Sequence, residues 1–248
     1  MNKTLKKGLF ALILSFSYLT YGQDNKGVVF YKKNLITPIS YKDIKSVKFR
    51  EFNKTLAKKS DKLKYTLEFV NEESIFQVIE TMESDKDKML EYAIRLGAGH
   101  GIRYTNISTK ELIYKKEAYG KQFLITNNLD SLRWKLINES KVVNGYNCFK
   151  AVTSKTVVGS KKTVAFEVIA WYAPEIPLNF GPIGYAGLPG LIIELYNDKY
   201  KYYMTEMELN TKQIGKIKKP TKGKKMTLGE FLEYEKKLAG ESRSLMRN

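Results

Sequence analysis

The sequence predicts an α+β protein built on a mainly antiparallel, strongly curved β-sheet, an open or half barrel, with two or three packing helices. Three observations carry that expectation. Roughly ten short runs alternate apolar with polar residues and are bounded by Gly, Asn, Asp or Pro, as half-buried strands are. Aromatic residues make up 12% of the chain and 17 of them are Tyr, a composition that packs well on a pleated surface. Two or three other segments repeat apolar residues at helical spacing. A closed barrel or a sandwich would satisfy the same pattern.

The elements follow in order. Gly27 to Lys32 is a short first strand. A helix is predicted from about 41 to 58 with Ser40 as its N-cap, because Tyr41, Ile44, Val47, Phe52 and Leu56 share half of a helical wheel and lysines fill the rest. Leu63, Tyr65, Leu67 and Phe69 alternate with Lys64, Thr66 and Glu68, the clearest half-buried strand. Asn71-Glu72-Glu73 turns the chain into a strand from Ile75 to Ile79. Over 81–100 the strand rhythm breaks, and Met89, Leu90, Ala93, Ile94 and Gly97 mark a short helical face. The run Gly97 to Gly101 lacks the spacing and context of a nucleotide loop and reads as a connector.

Strands are expected at 102–107, 111–115, 122–126 and 132–137, the last with Leu132, Trp134 and Leu136 on one face. Asn144-Gly145 is a hairpin turn before a strand from Tyr146 to Thr153. After two central strands comes a strand over 201–209, then a lysine-rich connector, 211–225, that is polar, aperiodic and read as mobile. A last helix starts at Thr227, with Glu230 as capping-box partner and Leu228, Phe231, Leu232, Glu235 and Leu238 along one side.

The central strands, Val164 to Tyr172 and Leu191 to Tyr196, flank the most distinctive stretch. Four of the chain's six prolines (Pro174, Pro177, Pro182, Pro189) and four of its 17 glycines (Gly181, Gly184, Gly187, Gly190) fall between them. Glu175 is the one charged residue from Pro174 to Gly190, in a chain that is 28% charged. Leu188-Pro189-Gly190-Leu191 carries the type II turn signature, with proline presetting φ and glycine accepting a positive φ. A stiff, uncharged loop of this length has a shape to keep, either as a core connection or as the rim of a binding groove.

Composition narrows the function classes. Residues 1–22 read as a signal peptide: Lys3, Lys6 and Lys7 precede an apolar run from Leu9 to Leu19, and Thr20 and Gly22 precede a plausible cut at Gln23. That places residues 23–210 in a β-rich domain and 211–248 in the connector and final helix, in a protein exported to the periplasm or the outer surface. Without the three leader lysines the chain carries 40 basic and 26 acidic residues, net +14 with His neutral. Residues 41–64 hold nine Lys/Arg against three acids, and 211–225 hold seven Lys against none. Neither segment interleaves aromatics with its lysines as nucleic-acid binders do, so the expectation is no nucleic acid, with a solvated face or an anionic membrane surface as the alternatives.

Reactive side chains are sparse. Cys148 is the single cysteine and His100 the single histidine, which precludes an intrachain disulfide and argues against a metal site or other cofactor. Asp85 and Asp87 lack the glycine turn of a calcium loop, and no GxSxG elbow occurs. A Cys148–His100 nucleophile pair is conceivable, against a buried cysteine acting as a small hydrophobe.

The residues Gly187-Leu188-Pro189-Gly190-Leu191-Ile192 resemble the signature of the GLPGLI family of the Bacteroidetes. Trp171-Tyr172-Ala173-Pro174-Glu175-Ile176-Pro177 is similar to its WYxxEIP element, Gly181-Pro182 to its GP, and Gly145 to Ala151 to its GYxCxKA element. Leu67-Glu68-Phe69 with Ser74-Ile75-Phe76 is similar to its early strands. The resemblance implies an exported protein with no catalytic residues to carry over; a looser likeness is to β-rich periplasmic carriers of lipoprotein-chaperone type. Asp130-Ser131-Leu132 also fits the short pattern of O-glycosylation in exported Bacteroidetes proteins. The leading expectation is a non-enzymatic binding protein that cups an apolar small molecule, a lipid or a peptide. Trp171, Tyr172, Ile176, Phe180, Tyr185 and Leu188 would supply the contacts, and Pro174, Pro177, Gly181, Pro182, Gly187, Pro189 and Gly190 the rigid frame. An outer-membrane scaffold is the alternative, and a cysteine hydrolase using Cys148 the third reading.

Overall fold

The computed structural model describes residues 25–36, 46–79, 87–96, 100–158 and 163–245. The leader at 1–22, the Ser40 cap, and most of the Gly97–Gly101 run lie outside them. Strand accounts for about half of the described residues. Twelve strands form one sheet: β1 (Lys26–Leu35), β2 (Lys64–Val70), β3 (Glu73–Val78), β4 (Ile102–Asn106), β5 (Glu111–Ala118), β6 (Lys121–Asn128), β7 (Lys135–Val143), β8 (Tyr146–Val158), β9 (Thr163–Ala173), β10 (Leu191–Asn197), β11 (Tyr200–Leu209) and β12 (Lys224–Thr227). Three helices accompany it: α1 (Val47–Ser60), α2 (Lys88–Leu96) and α3 (Leu228–Leu245).

The strand order is β12-β6-β5-β4-β3-β2-β1-β11-β10-β9-β8-β7. Every pairing is antiparallel except β12 with β6. The expected α+β half barrel is therefore corrected to a predominantly β fold whose single sheet is neither closed nor strongly curled. The physical reason is that the loop between β9 and β10 and the helices pack on the apolar face, so the sheet need not curl round on itself to bury it.

Cross-strand partners share a face. Phe76, Arg103, Tyr114 and Ile125 pair in succession across β3 to β6 and look toward the main core and α3. Tyr104, Ile113 and Leu124 form a small cluster on the other face, with Ile217 of the 211–223 connector packed against it. Lys219 pairs with Glu111 at 2.5 Å, and its ammonium lies 5.9 Å from the Tyr104 ring centre. The connector read as mobile is thus a strap across the sheet. It delivers β12 to the far edge and lets α3 return over the core face, where Phe231 meets Phe123 edge-on at 5.2 Å. The strap's lysines hid this: the partners that fix it lie about 100 residues earlier, at Glu111 and on β6.

Local chemistry explains the ends of the elements. The Thr227 hydroxyl accepts from the Glu230 N–H at 3.2 Å, and the Glu230 carboxylate accepts from the Thr227 N–H at 2.7 Å, a reciprocal capping box. Helix α1 starts later than predicted because Ser46 is its cap, accepting from the Phe49 N–H at 3.3 Å. Asn144 and Gly145 both take positive φ (50° and 84°), as a tight β7–β8 hairpin requires. The strand expected over 132–137 starts three residues later. Leu132 and Trp134 pack against the core, whereas Leu136 is 58% exposed on the edge strand β7.

Candidate functional site

The 174–190 loop lies on the core face of the sheet. Its backbone is tied down at both ends: the Leu191 N–H donates to the Ile176 carbonyl at 3.0 Å and the Ile192 N–H to the Phe180 carbonyl at 3.0 Å. In the middle, the Gly187 N–H donates to Asn179 at 2.9 Å, and the Trp134 indole N–H donates to the Ala186 carbonyl at 2.9 Å. The expected type II turn is replaced by a tighter one. The Gly190 N–H reaches back only to the Leu188 carbonyl, at 2.8 Å around Pro189, because the Leu191 N–H is committed to Ile176. Gly190 sits at φ 151°, and a Cβ there would come within 2.2 Å of the Ala173 carbonyl oxygen. At Gly181 a Cβ would come within 2.6 Å of the Ile192 side chain, so close packing fixes this residue. Pro174 and Pro177 flank the start of the loop, and Pro182 opens a single helical turn, Pro182–Gly184, that touches β3 and β4.

Most residues expected to line a binding rim serve the protein's own core. Tyr172, Ile176, Phe180 and Leu188 are buried within the main apolar cluster, Phe180 with its ring 6.3 Å from that of Phe69. Trp171 points to the opposite face. Its ring is flanked by the Lys141 and Lys150 ammoniums at 4.4 and 6.0 Å, next to Glu194. Glu194 is buried and pairs with Lys141 (2.5 Å) and with Lys201. Burial alone would raise its pKa, but the two lysines outweigh it and hold the carboxyl below its ordinary 4.5.

Of the six, Tyr185 lines the cavity beside the loop. A cavity of about 670 Å³ opens between β4–β6, the Ile183–Tyr185 end of the loop, β8, the end of β10 and the first turns of α3. Ile125, Leu132, Ile183, Phe231 and Leu232 supply apolar wall, and Tyr114 and Tyr185 aromatic wall. Charge on the lining is one-sided: Arg103, Lys116 and Lys155 against Glu235. The Glu235 carboxylate pairs with Lys116 at 3.5 Å. The Arg103 guanidinium stacks 3.7 Å from the centre of the Tyr114 ring, and its stem contacts the position where Gly184 would carry a Cβ. Asn197, 3% exposed, brings a buried Oδ1 with no hydrogen-bond partner to the same lining. Burial pushes the Tyr185 phenol up to about 12 despite the lowering effect of Arg103, so it remains a neutral hydroxyl.

Backbone strain marks the same place. Ile183 adopts φ 50° and ψ 28°, a left-handed conformation that a β-branched residue takes only when its surroundings force it. Arg103, Tyr114, Lys155, Ile183 and Asn197 were not singled out by sequence reasoning, and Phe231 only as part of one side of the last helix. The one signal available was an arginine placed opposite a tyrosine on adjacent predicted strands.

The thiol and the imidazole are far apart in the strand order. Cys148 is fully buried on β8, and burial followed by the nearby Glu194 charge pushes its pKa up to about 11, against the thiolate a nucleophile needs. His100 precedes β4 and is influenced by Arg95, Lys116 and Glu117; burial and the two cations lower its pKa. Ser131 is exposed in the turn Leu129–Ser131, its hydroxyl accepting from Asn127 at 2.8 Å. Among the described residues no group of three or more His, Cys, Asp or Glu could hold a metal ion. No described helix is long and apolar enough to cross a membrane.

Residues 158–194 match a family model described as a protein of unknown function (Porph_ging). That segment runs from the end of β8 through β9 and the whole loop into β10. No curated protein matches the chain. Among solved structures, the chain is similar to PNGF-II in its P21 and C2 crystal forms, at 13% and 12% identity and a TM-score of 0.49 for both. Each alignment covers 85% of this chain and 32% of the PNGF-II chain, so this chain spans about a third of the length of those proteins.

Proposed function

We propose that the chain is an exported, non-enzymatic binding protein whose ligand is an amphiphile with an apolar body and an anionic end. The reading rests on the cavity beside Ile183–Tyr185. Its volume of about 670 Å³ falls within the usual range for small-molecule sites. Its wall is apolar and aromatic, and its lining carries three cations against one carboxylate. Shape and charge of this kind retain a ligand without a reactive group at hand. The strained Ile183 supports the same place, since backbone strain of this sort gathers at ligand sites. The loop then has an indirect role. It fills the core face with its own side chains and presents one turn to the hollow, rather than cupping the ligand with Trp171 or Leu188.

The hexapeptide Gly187 to Ile192 and the elements before it support placing the chain with the GLPGLI proteins, and the leader-like residues 1–22 support export to the periplasm or cell surface. Native mass spectrometry of protein purified from its source tests the reading. The expected spectrum holds an added mass that dissociates as an anionic amphiphile. Protein that is mass-pure, and that stays so after incubation with fatty acids and lysophospholipids, would overturn it.

A further inference from the structure

The surface of α1 and α2 is built unlike the rest of the molecule. A helix of a globular protein ordinarily buries its apolar stripe. No residue of the 14-residue α1 is buried, and three of its four large apolar side chains stand outward. Val47 is 66% exposed, Phe49 56% and Phe52 39%. The row continues onto α2 through Tyr92, 53% exposed. The rings order one another without being covered: Phe49 stacks on Phe52 at 6.5 Å and Phe52 meets Tyr92 edge-on at 6.4 Å. The underside of the pair is anchored, with Ala93 and Ile94 buried in the main core and Leu56 and Leu90 packed against it. The outward rings are therefore a fixed surface.

Charge around the rings is mostly positive, although Lys54, Arg95 and Lys59 are paired with Glu51, Glu91 and Asp87. The two helices carry seven Lys/Arg (Lys48, Arg50, Lys54, Lys58, Lys59, Lys88, Arg95) against Glu51 and Glu91. A second copy of this chain would bring the same cations against them and repel. The complement of exposed aromatic rings among cations is an interface that is apolar below and negative above, which is the surface of a bilayer containing anionic phospholipid. Aromatic rings favour the headgroup level, and lysine stems lie along apolar surface while their ammoniums reach the phosphates.

We propose that the α1–α2 face, through Phe49, Phe52 and Tyr92 and the surrounding lysines, docks the protein peripherally on an anionic phospholipid bilayer. The face is separate from the cavity, and the two readings stand or fall independently.

Co-sedimentation of the full chain with vesicles tests this. Phosphatidylcholine vesicles are compared with vesicles of phosphatidylcholine mixed with phosphatidylglycerol. Binding is expected to the mixed vesicles and to weaken with salt. The double variant Phe49→Asp/Phe52→Asp is expected to lose roughly tenfold or more of that affinity, and Lys48→Glu/Lys58→Glu a similar amount. Both sets of positions are on the surface, and an unchanged thermal melt checks that the fold is kept. Three results would each overturn the proposal. They are no binding to either vesicle, binding that the Phe49/Phe52 variant leaves intact, and a concentration-dependent dimer that this variant abolishes.

Discussion

The Tyr31 hydroxyl on β1 donates to the Ile192 carbonyl oxygen on β10 at 2.7 Å, across the intervening strand β11. The register of β10 on β9 slips between Ile192 and Glu194, one residue of β10 being left over. The bulge interrupts the strand's alternation, all of Leu191 to Leu195 is buried, and Tyr31 supplies a partner for the carbonyl at the start of the bulge. Tyr31 is fully buried, and burial drives its pKa well up, so it acts only as a neutral donor. Tyr31→Phe is expected to cost about 1–2 kcal/mol in urea unfolding, with no change in the ligand cavity.

Gly190→Ala should be far more damaging than its size suggests. The added methyl would overlap the Ala173 carbonyl at 2.2 Å, on a backbone at φ 151°. The expected loss is about 3 kcal/mol, from strain and overpacking together. Gly229→Ala, in the first turn of α3 with nothing within 4 Å, should be neutral or slightly stabilising. Chemical denaturation of both variants checks the contrast.

Glu194 sets an acid limb to stability. Its folded pKa lies below its ordinary 4.5, held there by Lys141 and Lys201 against the cost of burial. The stabilisation is thus fully present above pH 4.5, the unfolded value, and is lost as pH falls through the lower folded value. Glu194→Gln should cost about 2 kcal/mol at neutral pH and flatten the acid limb of a plot of unfolding free energy against pH. An acid limb identical in the two proteins would remove Glu194 as its source.

Cys148 should be inert in the folded protein. With the thiol buried and its pKa pushed up to about 11, almost no thiolate exists at pH 8. Titration with a thiol-reactive disulfide is expected to label it only after denaturant is added. Rapid labelling of the native protein would reopen the cysteine-hydrolase reading.

How much of this was legible in the sequence depended on distance along the chain. The Thr227–Glu230 capping box and the Asn144-Gly145 hairpin are local chemistry, and both stand where the residues put them. The proline-glycine loop was visible as a rigid device, but its burial was not. Side chains such as Phe180 and Leu188 look the same in sequence whether they face a ligand or the protein's own core, where Phe180 meets Phe69. The Leu132-Xaa-Trp134-Xaa-Leu136 alternation is equally ambiguous: two of its residues pack as loop and the third lies on an exposed edge strand. The cavity draws on β4, β8, β10 and α3, and no local pattern joins Arg103 to Lys155, Asn197 and Phe231. Sheet curvature has no local signature at all, which is why an open sheet covered by a loop was read as a half barrel.

The cavity reading is tested most directly by titrating the protein with a dansylated fatty acid and following the probe's fluorescence. Saturable binding at one site is expected. It should weaken by about tenfold or more in Thr156→Trp, which places an indole at the cavity, and again in Lys155→Glu, which reverses a lining charge. Failure of the wild-type protein to bind, or equal binding by all three proteins, would contradict it.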